Sequence, residues 1–443
     1  MSQVLHRSTK QKFDVAVSGD GLMLTLADGR TVIDAAGGAA VACLGHGNRR
    51  VAQAVARQAE QLAYVHTMFF STAPAEELAT LLVGHAPGDL TRAFFVTSGS
   101  EAMESALKLA YQYHVERGQP RRTRFIARRQ SYHGNTFGAL AASGHPGRRS
   151  IYEPILMPNF SHVSPCFAFR YKEERESSAD YVARLAAELE AEFQRLGPDN
   201  VAAFVAEPIV GATSGCVAAE PGYFRAIRAV CDRHGALLIL DEIMSGMGRS
   251  GTQHVWEQEG VTPDLQAVAK GLGGGYVPLG ALLVARKVVD ALDAGTGSFL
   301  HGHTFQAHAV ACAGAIEVQK IIAEENLLDN VQSVGRYLTQ ALTDRFGQHA
   351  NVADIRGRGF FQALEFVASR DSNEPYAPKA GFSEILKRKA LEFGLAIYPN
   401  GGTIDGKRGD HVIIAPPYNA TRADIDAIVS RLGSAVDAAA RSM

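Results

Sequence analysis

The sequence predicts an α/β fold, a mainly parallel sheet flanked by helices, joined to a smaller α+β domain made from both ends of the chain. Three observations carry that expectation. Between residues 93 and 285, short apolar runs at 93–96, 124–127, 201–206, 236–240, 265–269 and 280–285 alternate with longer stretches of helical period. That is the pattern of strands buried on both faces and connected by covering helices. After residue 315 two helical stretches (315–324 and 330–346) precede strands with glycine-rich turns at 352–366, 394–399 and 411–415. Residues 1 to about 50 alternate like strands around a turn at Asp28-Gly29 and add to the smaller unit. The expected division is 1–55 for an N-terminal segment of the small domain, 56–314 for the large ligand-binding domain and 315–443 for the rest of the small domain.

Several elements are marked individually. Ser98 and Glu101 match a capping box ahead of a helix with the stripe Met103, Ala106, Leu107 and Ala110. The charged run 172–176 reads as a solvated loop before a helix at 180–196. Pro221 suits the first position of a helix whose stripe is Phe224, Ile227, Val230 and Cys231, with Gly235 as its stop.

Composition bounds the function. With 443 residues, 46% hydrophobic and 20% charged, the chain is long and apolar enough for a large core. A net charge of -2 supplies no field for nucleic acid or an anionic membrane, so neither is an expected partner. The N-terminus has no apolar run of signal-peptide length, and nowhere do about 18 apolar residues follow one another. Five widely spaced cysteines without a CxxC pair suggest neither disulfides nor zinc, so a reducing cytoplasm is expected.

The chemistry sits where apolar runs end, since ligands bind at the carboxyl ends of strands in an open parallel sheet. Residues 93–96 lead into Thr97-Ser98-Gly99-Ser100-Glu101, a small-residue turn at a helix N-terminus that suits a phosphate. The run 236–240 leads into Asp241-Glu242, where a carboxylate loses hydration unless it meets a cation. The run 265–269 leads into Lys270 and Gly271-Leu272-Gly273-Gly274-Gly275. Lys270 is the one lysine set between a buried strand and a glycine run, and a desolvated lysine becomes a nucleophile toward aldehydes. An anion site, an acid and a buried lysine on neighbouring strand ends are what pyridoxal 5'-phosphate requires: a phosphate cradle, a carboxylate for its pyridine nitrogen and an amine for its aldehyde.

The segments TSGSEAMESALKLA, SYHG, AEPIVG, LILDEIMSGMGRSG, AKGLGGG and HGHTF, in that order, resemble those of class III, fold-type I pyridoxal-phosphate aminotransferases. The resemblance implies that Lys270 binds the cofactor's aldehyde and moves a proton between substrate and cofactor, and that Asp241 pairs with the pyridine nitrogen. It makes Ser98, Gly99 and Ser100 the phosphate turn, Tyr132 (with His133 beside it) the aromatic on one face of the ring, and Ile243 the apolar residue on the other. Glu207 matches an acid that holds a substrate-gating Arg in some relatives. Thr304 matches a hydroxyl reaching the phosphate from a neighbouring subunit, which implies a homodimer with shared sites, or a tetramer built from it. The implied reaction moves an amino group from an amine or ω-amino acid to a 2-oxo acid, pyruvate foremost. A decarboxylase, racemase or aminomutase on the same scaffold is the alternative.

Two departures bear on substrate. Relatives acting on ornithine, N-acetylornithine or 4-aminobutyrate carry an Arg directly after the His-Gly, where this chain has Asn135. Asn cannot form a bidentate fork with a carboxylate. Near the C-terminus, Arg408 in Gly406-Lys407-Arg408-Gly409-Asp410 is the candidate for the mobile, carboxylate-binding Arg of ω-transaminases, at a shifted spacing. No GxGxxG stands directly after one of the apolar runs and no segment completes GxxxxGK[ST], while His301, His303 and His308 lack the nearby acid a metal site needs, so no metal is expected.

Overall fold

Seven strands form the central sheet of the computed structural model, which describes residues 2–84 and 88–443. They are β1 (Leu90–Val96), β2 (Arg124–Arg128), β3 (Phe160–Val163), β4 (Val201–Ala206), β5 (Leu237–Asp241), β6 (Leu265–Val268) and β7 (Gly280–Ala285), in the order β1-β7-β6-β5-β4-β2-β3. The pairs from β3 through β6 are parallel. Only β7 is reversed, running antiparallel to β6 and β1. Six carboxyl ends and the amino end of β7 therefore share one edge.

Every residue of β4, β5, β6 and β7 is buried, which explains why these segments read as continuous apolar runs. Alternate residues serve opposite faces. Val205, Ile239, Ala267 and Leu282 pack with Met103, Ala106, Leu107 and Ala110 of the helix Gly99–Glu116. Phe204, Leu238, Leu240 and Val268 pack with the helices Ser178–Leu196 and Tyr223–His234 through Leu189, Phe193, Ile227 and Val230.

Both chain ends meet in two smaller sheets. Ala16–Asp20, Met23–Leu26 and Thr31–Asp34 form a meander that Leu395–Ala396 extends in parallel, Leu395 opposite Ile33. The hairpin Val352–Arg358 and Phe361–Phe366 continues through Asp410–Ile414 to Tyr398–Gly401, all antiparallel. The helices Leu327–Phe346, Phe382–Glu392 and Arg422–Ala440 close the core beside these sheets. Among the described residues no helix is long and apolar enough to cross a membrane.

Three local expectations are corrected. Pro221 lies before the helix rather than in its first turn, because Gly222 is the N-cap at φ +86°, a conformation outside the helical region. Gly235 ends that helix as expected, in the left-handed region. The capping box at Ser98 is half formed: Ser98 Oγ accepts the Glu101 N–H, but the Glu101 carboxylate accepts from the N–H and hydroxyl of Thr97. The short edge strand β3, only partly buried, was not among the expected elements.

Gly280 begins β7 opposite Val96, and a Cβ there would lie 2.6 Å from the Ser98 carbonyl oxygen. Gly280→Ala should therefore push the 97–99 turn off the sheet, at a cost of about 1–3 kcal/mol for overpacking against backbone. Denaturant titration should show a lower midpoint with unchanged helical circular dichroism; an unchanged midpoint would mean that the turn yields freely.

Candidate active site

A cavity of about 320 Å³ opens at the carboxyl edge of the sheet. Ser98, Gly99 and Ser100 line it after β1, Tyr132 and His133 after β2, Glu207 after β4, Asp241 and Ile243 at the end of β5, and Lys270 after β6. Sheet register explains the convergence. Ala206 is paired with Leu240 and Ala267 with Asp241, so Glu207 and Asp241 come off neighbouring strands at one level, and Lys270 follows three residues past Ala267 in the 3-10 turn that ends its strand.

The floor is charged, and its two carboxylates are buried. Asp241 is 4% exposed; one carboxylate oxygen accepts the Ile243 N–H at 3.0 Å and the other accepts from His133 Nδ1 at 2.8 Å. Glu207 is buried, and its carboxylate accepts the N–H groups of Tyr132 at 3.0 Å and Gly211 at 3.1 Å. Burial pushes the Glu207 carboxyl above its ordinary range, against the pull of His133, and Asp241 adds to the rise. Burial also brings the Lys270 amine down to about 8, although Asp241 and Glu207 both favour its charged form. The Lys270 backbone has φ +47°, a strained conformation for a residue with a Cβ, held by Gly273 and Gly274 N–H groups bonded to its carbonyl.

The opposite wall is a set of donors. Gly99 and Ser100 open an 18-residue helix, and neither N–H finds a partner among the described residues, whereas Glu101 and Ala102 bond back to Ser98. A Cβ on Gly99 would lie 2.8 Å from Ile243, so glycine is what lets the turn and the β5 loop meet. The segment carrying Tyr132 and His133 is pinned along its length. Gln130, at φ +62°, donates its amide to the Gly402 and Thr403 carbonyls, Ser143 Oγ accepts the His133 N–H, and Ser100 Oγ accepts the Asn135 N–H.

Comparison with known proteins agrees with this arrangement. Residues 5–436 match the family model described as aminotransferase class-III. An uncharacterized aminotransferase of Schizosaccharomyces pombe is 46% identical over 98% of this chain and 94% of its own. The chain belongs to the class III aminotransferases. The fold agrees as well: an (S)-enantioselective omega-transaminase from Thermomicrobium roseum superposes with a TM-score of 0.91 at 34% identity, covering 98% of this chain and 96% of that one. An amine transaminase from an uncultivated Pseudomonas species, in its PLP-bound form, gives 0.92 at 32% identity over 99% of both chains. The protein is a fold-type I, pyridoxal 5'-phosphate-dependent transaminase.

The residues of this aminotransferase fit that cofactor. Two unpaired N–H groups and two serine hydroxyls suit a phosphate. A buried carboxylate suits a protonated ring nitrogen, and a desolvated amine suits an aldehyde. His133 Nε2 is buried without a hydrogen-bond partner, a polar atom left over by the protein alone.

Not every expected residue reaches the cavity of its own chain. Thr304 is exposed in a turn at 304–307. Asn135 is exposed and contributes no lining atom. Arg408 is bound to Asp405 by a 2.7 Å ion pair and is 55% exposed, in a turn closed by hydrogen bonds from Gly402 to Gly409 and from Ile404 to Arg408. The 402–409 segment is therefore tightly bonded rather than a free loop. Glu207 holds backbone N–H groups, not an arginine. His301 is bonded to Ser105 and Lys108, and among the described residues no group of three metal-ligating side chains gathers.

Other cavity-lining or neighbouring residues were missed. Tyr398 and Val41 come from the small sheets and the N-terminal segment, brought in by long-range packing that no local pattern reveals. Arg148 stacks on Tyr132 from a four-residue helix, Pro146–Arg149, marked only by its proline.

A lysine brought down to about 8 is half free amine at pH 8, against roughly 0.3% for one at 10.5. Capture of the cofactor's aldehyde by apoprotein should accelerate about tenfold per pH unit below 8 and level off above it. Stopped-flow absorbance measures this; a rate still climbing tenfold between pH 9 and 10 would place the amine in an ordinary aqueous setting.

Proposed function

We propose that the enzyme moves an amino group from an amine or ω-amino acid, amines with an uncharged tail being favoured, to a 2-oxo acid, with pyruvate the foremost acceptor. What carries this reading is the chemistry of the cavity wall. Beyond Glu207, Asp241, His133 and Lys270 its lining has no ionisable side chain except the phenols of Tyr132 and Tyr398, and Val41, Ala212, Met244, Val277 and Leu279 form an apolar surface. Such a surface favours an apolar substituent through roughly 25 cal/mol per Å² buried. With Asn135 outside the lining, no arginine fork follows the His-Gly pair to select a second carboxylate.

When bound, pyridoxal 5'-phosphate supplies an aldehyde for amine exchange and a ring that takes up the electron pair of a breaking C–H bond. In this reading Lys270 would hold the aldehyde and, when free, would carry the proton at the donor's Cα as a neutral base. Asp241, oriented by His133, holds a proton on the ring nitrogen. Ser98, Gly99 and Ser100 grip the phosphate, while Tyr132 and Ile243 hold the two faces. Glu207 fixes the backbone of Tyr132. Partial burial of Lys270 lowers its amine pKa and so keeps the neutral form available between the two proton transfers.

The site is proposed to be shared in a homodimer, Thr304 serving the phosphate of the other subunit. Support comes from the exposed apolar side chains around it. Met68, Phe69 and Phe70 are exposed, as are Leu300 and Phe305, and the Tyr64 and Phe305 rings lie 6.1 Å apart, which sets the two segments side by side. Apolar surface of that kind marks an interface. The proposed compartment is the cytoplasm, supported by five cysteines that are all free.

A panel of amines against pyruvate and 2-oxoglutarate, followed by loss of cofactor absorbance in single turnovers, tests the reaction; amines with apolar tails should react faster than ω-amino acids, and no transfer from any donor would end the proposal. Asp241→Asn should slow the donor half-reaction at least about 100-fold through loss of a charge-assisted hydrogen bond, with wild-type rates counting against the role of Asp241. Mixed Lys270→Ala and Thr304→Ala dimers should regain activity after subunit exchange, since one site of each hybrid is intact. No gain after demonstrated exchange would mean unshared sites.

A further inference from the structure

Every 2-oxo acid brings a carboxylate next to its carbonyl, and the cavity lining contains no arginine to receive it. The expected residue, Arg408, is tied to Asp405 away from the cavity. The other arginines near the site are closed off or paired, although Arg128 Nε and Arg249 Nε and Nη2 find no hydrogen-bond partner among the described residues. Arg249 donates to the Phe360 and Pro416 carbonyls and is sealed behind the Tyr418 ring, 4.7 Å away. Arg128 donates to the Glu207 carbonyl and lies over the rings of Tyr223 and Phe224. Arg149, next in sequence to Arg148, is bonded to Glu153 and the Ser143 carbonyl.

Arg148 differs from all of these. Its guanidinium carbon lies 4.7 Å from the centroid of the Tyr132 ring, itself part of the cavity wall. It makes no hydrogen bond or ion pair with any of the described residues, and it is half-buried, so it is reachable from solvent. A guanidinium stacked on an aromatic ring uses its face for the contact and leaves its N–H donors free along the edge. A carboxylate binds a guanidinium along that edge, by two parallel hydrogen bonds. Arg148 and Arg249 both join burial in disfavouring the charged Lys270 amine, and of the two only Arg148 is open to solvent, Arg249 being 1% exposed. Burial raises the Tyr132 phenol, and Arg148 and Arg7, from the N-terminal segment, oppose that rise.

We propose that Arg148, held on Tyr132, is the carboxylate subsite of this enzyme, receiving the carboxylate of the 2-oxo acid while the carbonyl carbon faces Lys270. The assignment rests on the transamination reading for its substrate, but not for its anion chemistry. Uncharged amines have no partner there and meet only the apolar wall. One subsite then serves acceptors with a carboxylate and leaves donors without one unopposed.

The test uses the holoenzyme in wild-type, Arg148→Gln, Arg148→Lys and Arg408→Ala forms. Calorimetric titration with propanoate, a carboxylate with no carbonyl to react, reads the subsite directly. Arg148→Gln should weaken propanoate about 30-fold, equivalent to about 2 kcal/mol; Arg148→Lys should recover part of the loss, and Arg408→Ala should stay within about threefold of wild type, as an exposed pair predicts. In single turnovers of the aminated enzyme, the preference for pyruvate over propanal should fall by a similar factor in Arg148→Gln. Equal propanoate affinity in wild type and Arg148→Gln, or no propanoate binding by wild type, overturns the subsite. Arg148-dependent propanoate binding by an enzyme that aminates neither acceptor keeps the subsite and removes pyruvate as the acceptor instead.

Discussion

The constraint on which the site depends is that two buried carboxylates and a partly buried amine share one floor. Charged groups lose hydration there, and only mutual attraction or protein hydrogen bonds replace it. The structure answers with fixed partners. Asp241 takes one backbone and one imidazole donor, and Glu207 takes two backbone donors. Lys270 alone receives no hydrogen bond from the described residues, and burial leaves its amine near half charged at pH 8. Lys270 and His133 Nε2 are thus the polar groups of the floor left without a partner among the described residues, consistent with a site completed by its cofactor.

Holding that floor requires the rest of the fold. The strand ends supply position to within a residue through sheet register, but the loops after them need their own anchors. Gln319 donates to the carbonyls of Gly271 and Leu272 behind Lys270, and the Tyr418 hydroxyl donates to the carbonyl of Met247 at 2.9 Å. Gln130 ties the Tyr132 segment to the 402–409 turn. These anchors come from the helix Ala309–Glu324 and from the C-terminal part of the chain, so the smaller sheets act as clamps on loops that belong to the central one. Gln130, Met247 and Lys270 all lie at positive φ beside this edge, and backbone strain of that kind persists only where surrounding contacts over-determine it.

This division explains what was legible in the sequence. β4 and β7 could be read to the residue because burial on both faces makes their composition uniform, and the site followed because the chemistry begins where each run ends. The pattern had little to say about β3, which is only partly buried, or about Pro221, whose place was decided by the φ of the next glycine. Arg148 and Tyr398 lay beyond reach for a different reason. Their relation to the cavity is set by which distant segment packs on which, and neither carries a local periodicity or a spacing that encodes it.

Arg408 shows the same limit from the other side. Glycines at 406 and 409 suggest mobility in a sequence, yet both have positive φ in a turn that a bulkier residue would obstruct: a Cβ on Gly406 would lie 2.6 Å from Pro146, and one on Gly409 would lie 3.0 Å from Ile404. The glycines are there for tight closure, not for freedom. That closure seats the turn against Pro146, the first residue of the short helix that carries Arg148. A charge that spacing alone would place on a swinging arm is fixed to Asp405, and the turn bearing it instead buttresses the helix of a second arginine, which stacks on the ring of Tyr132.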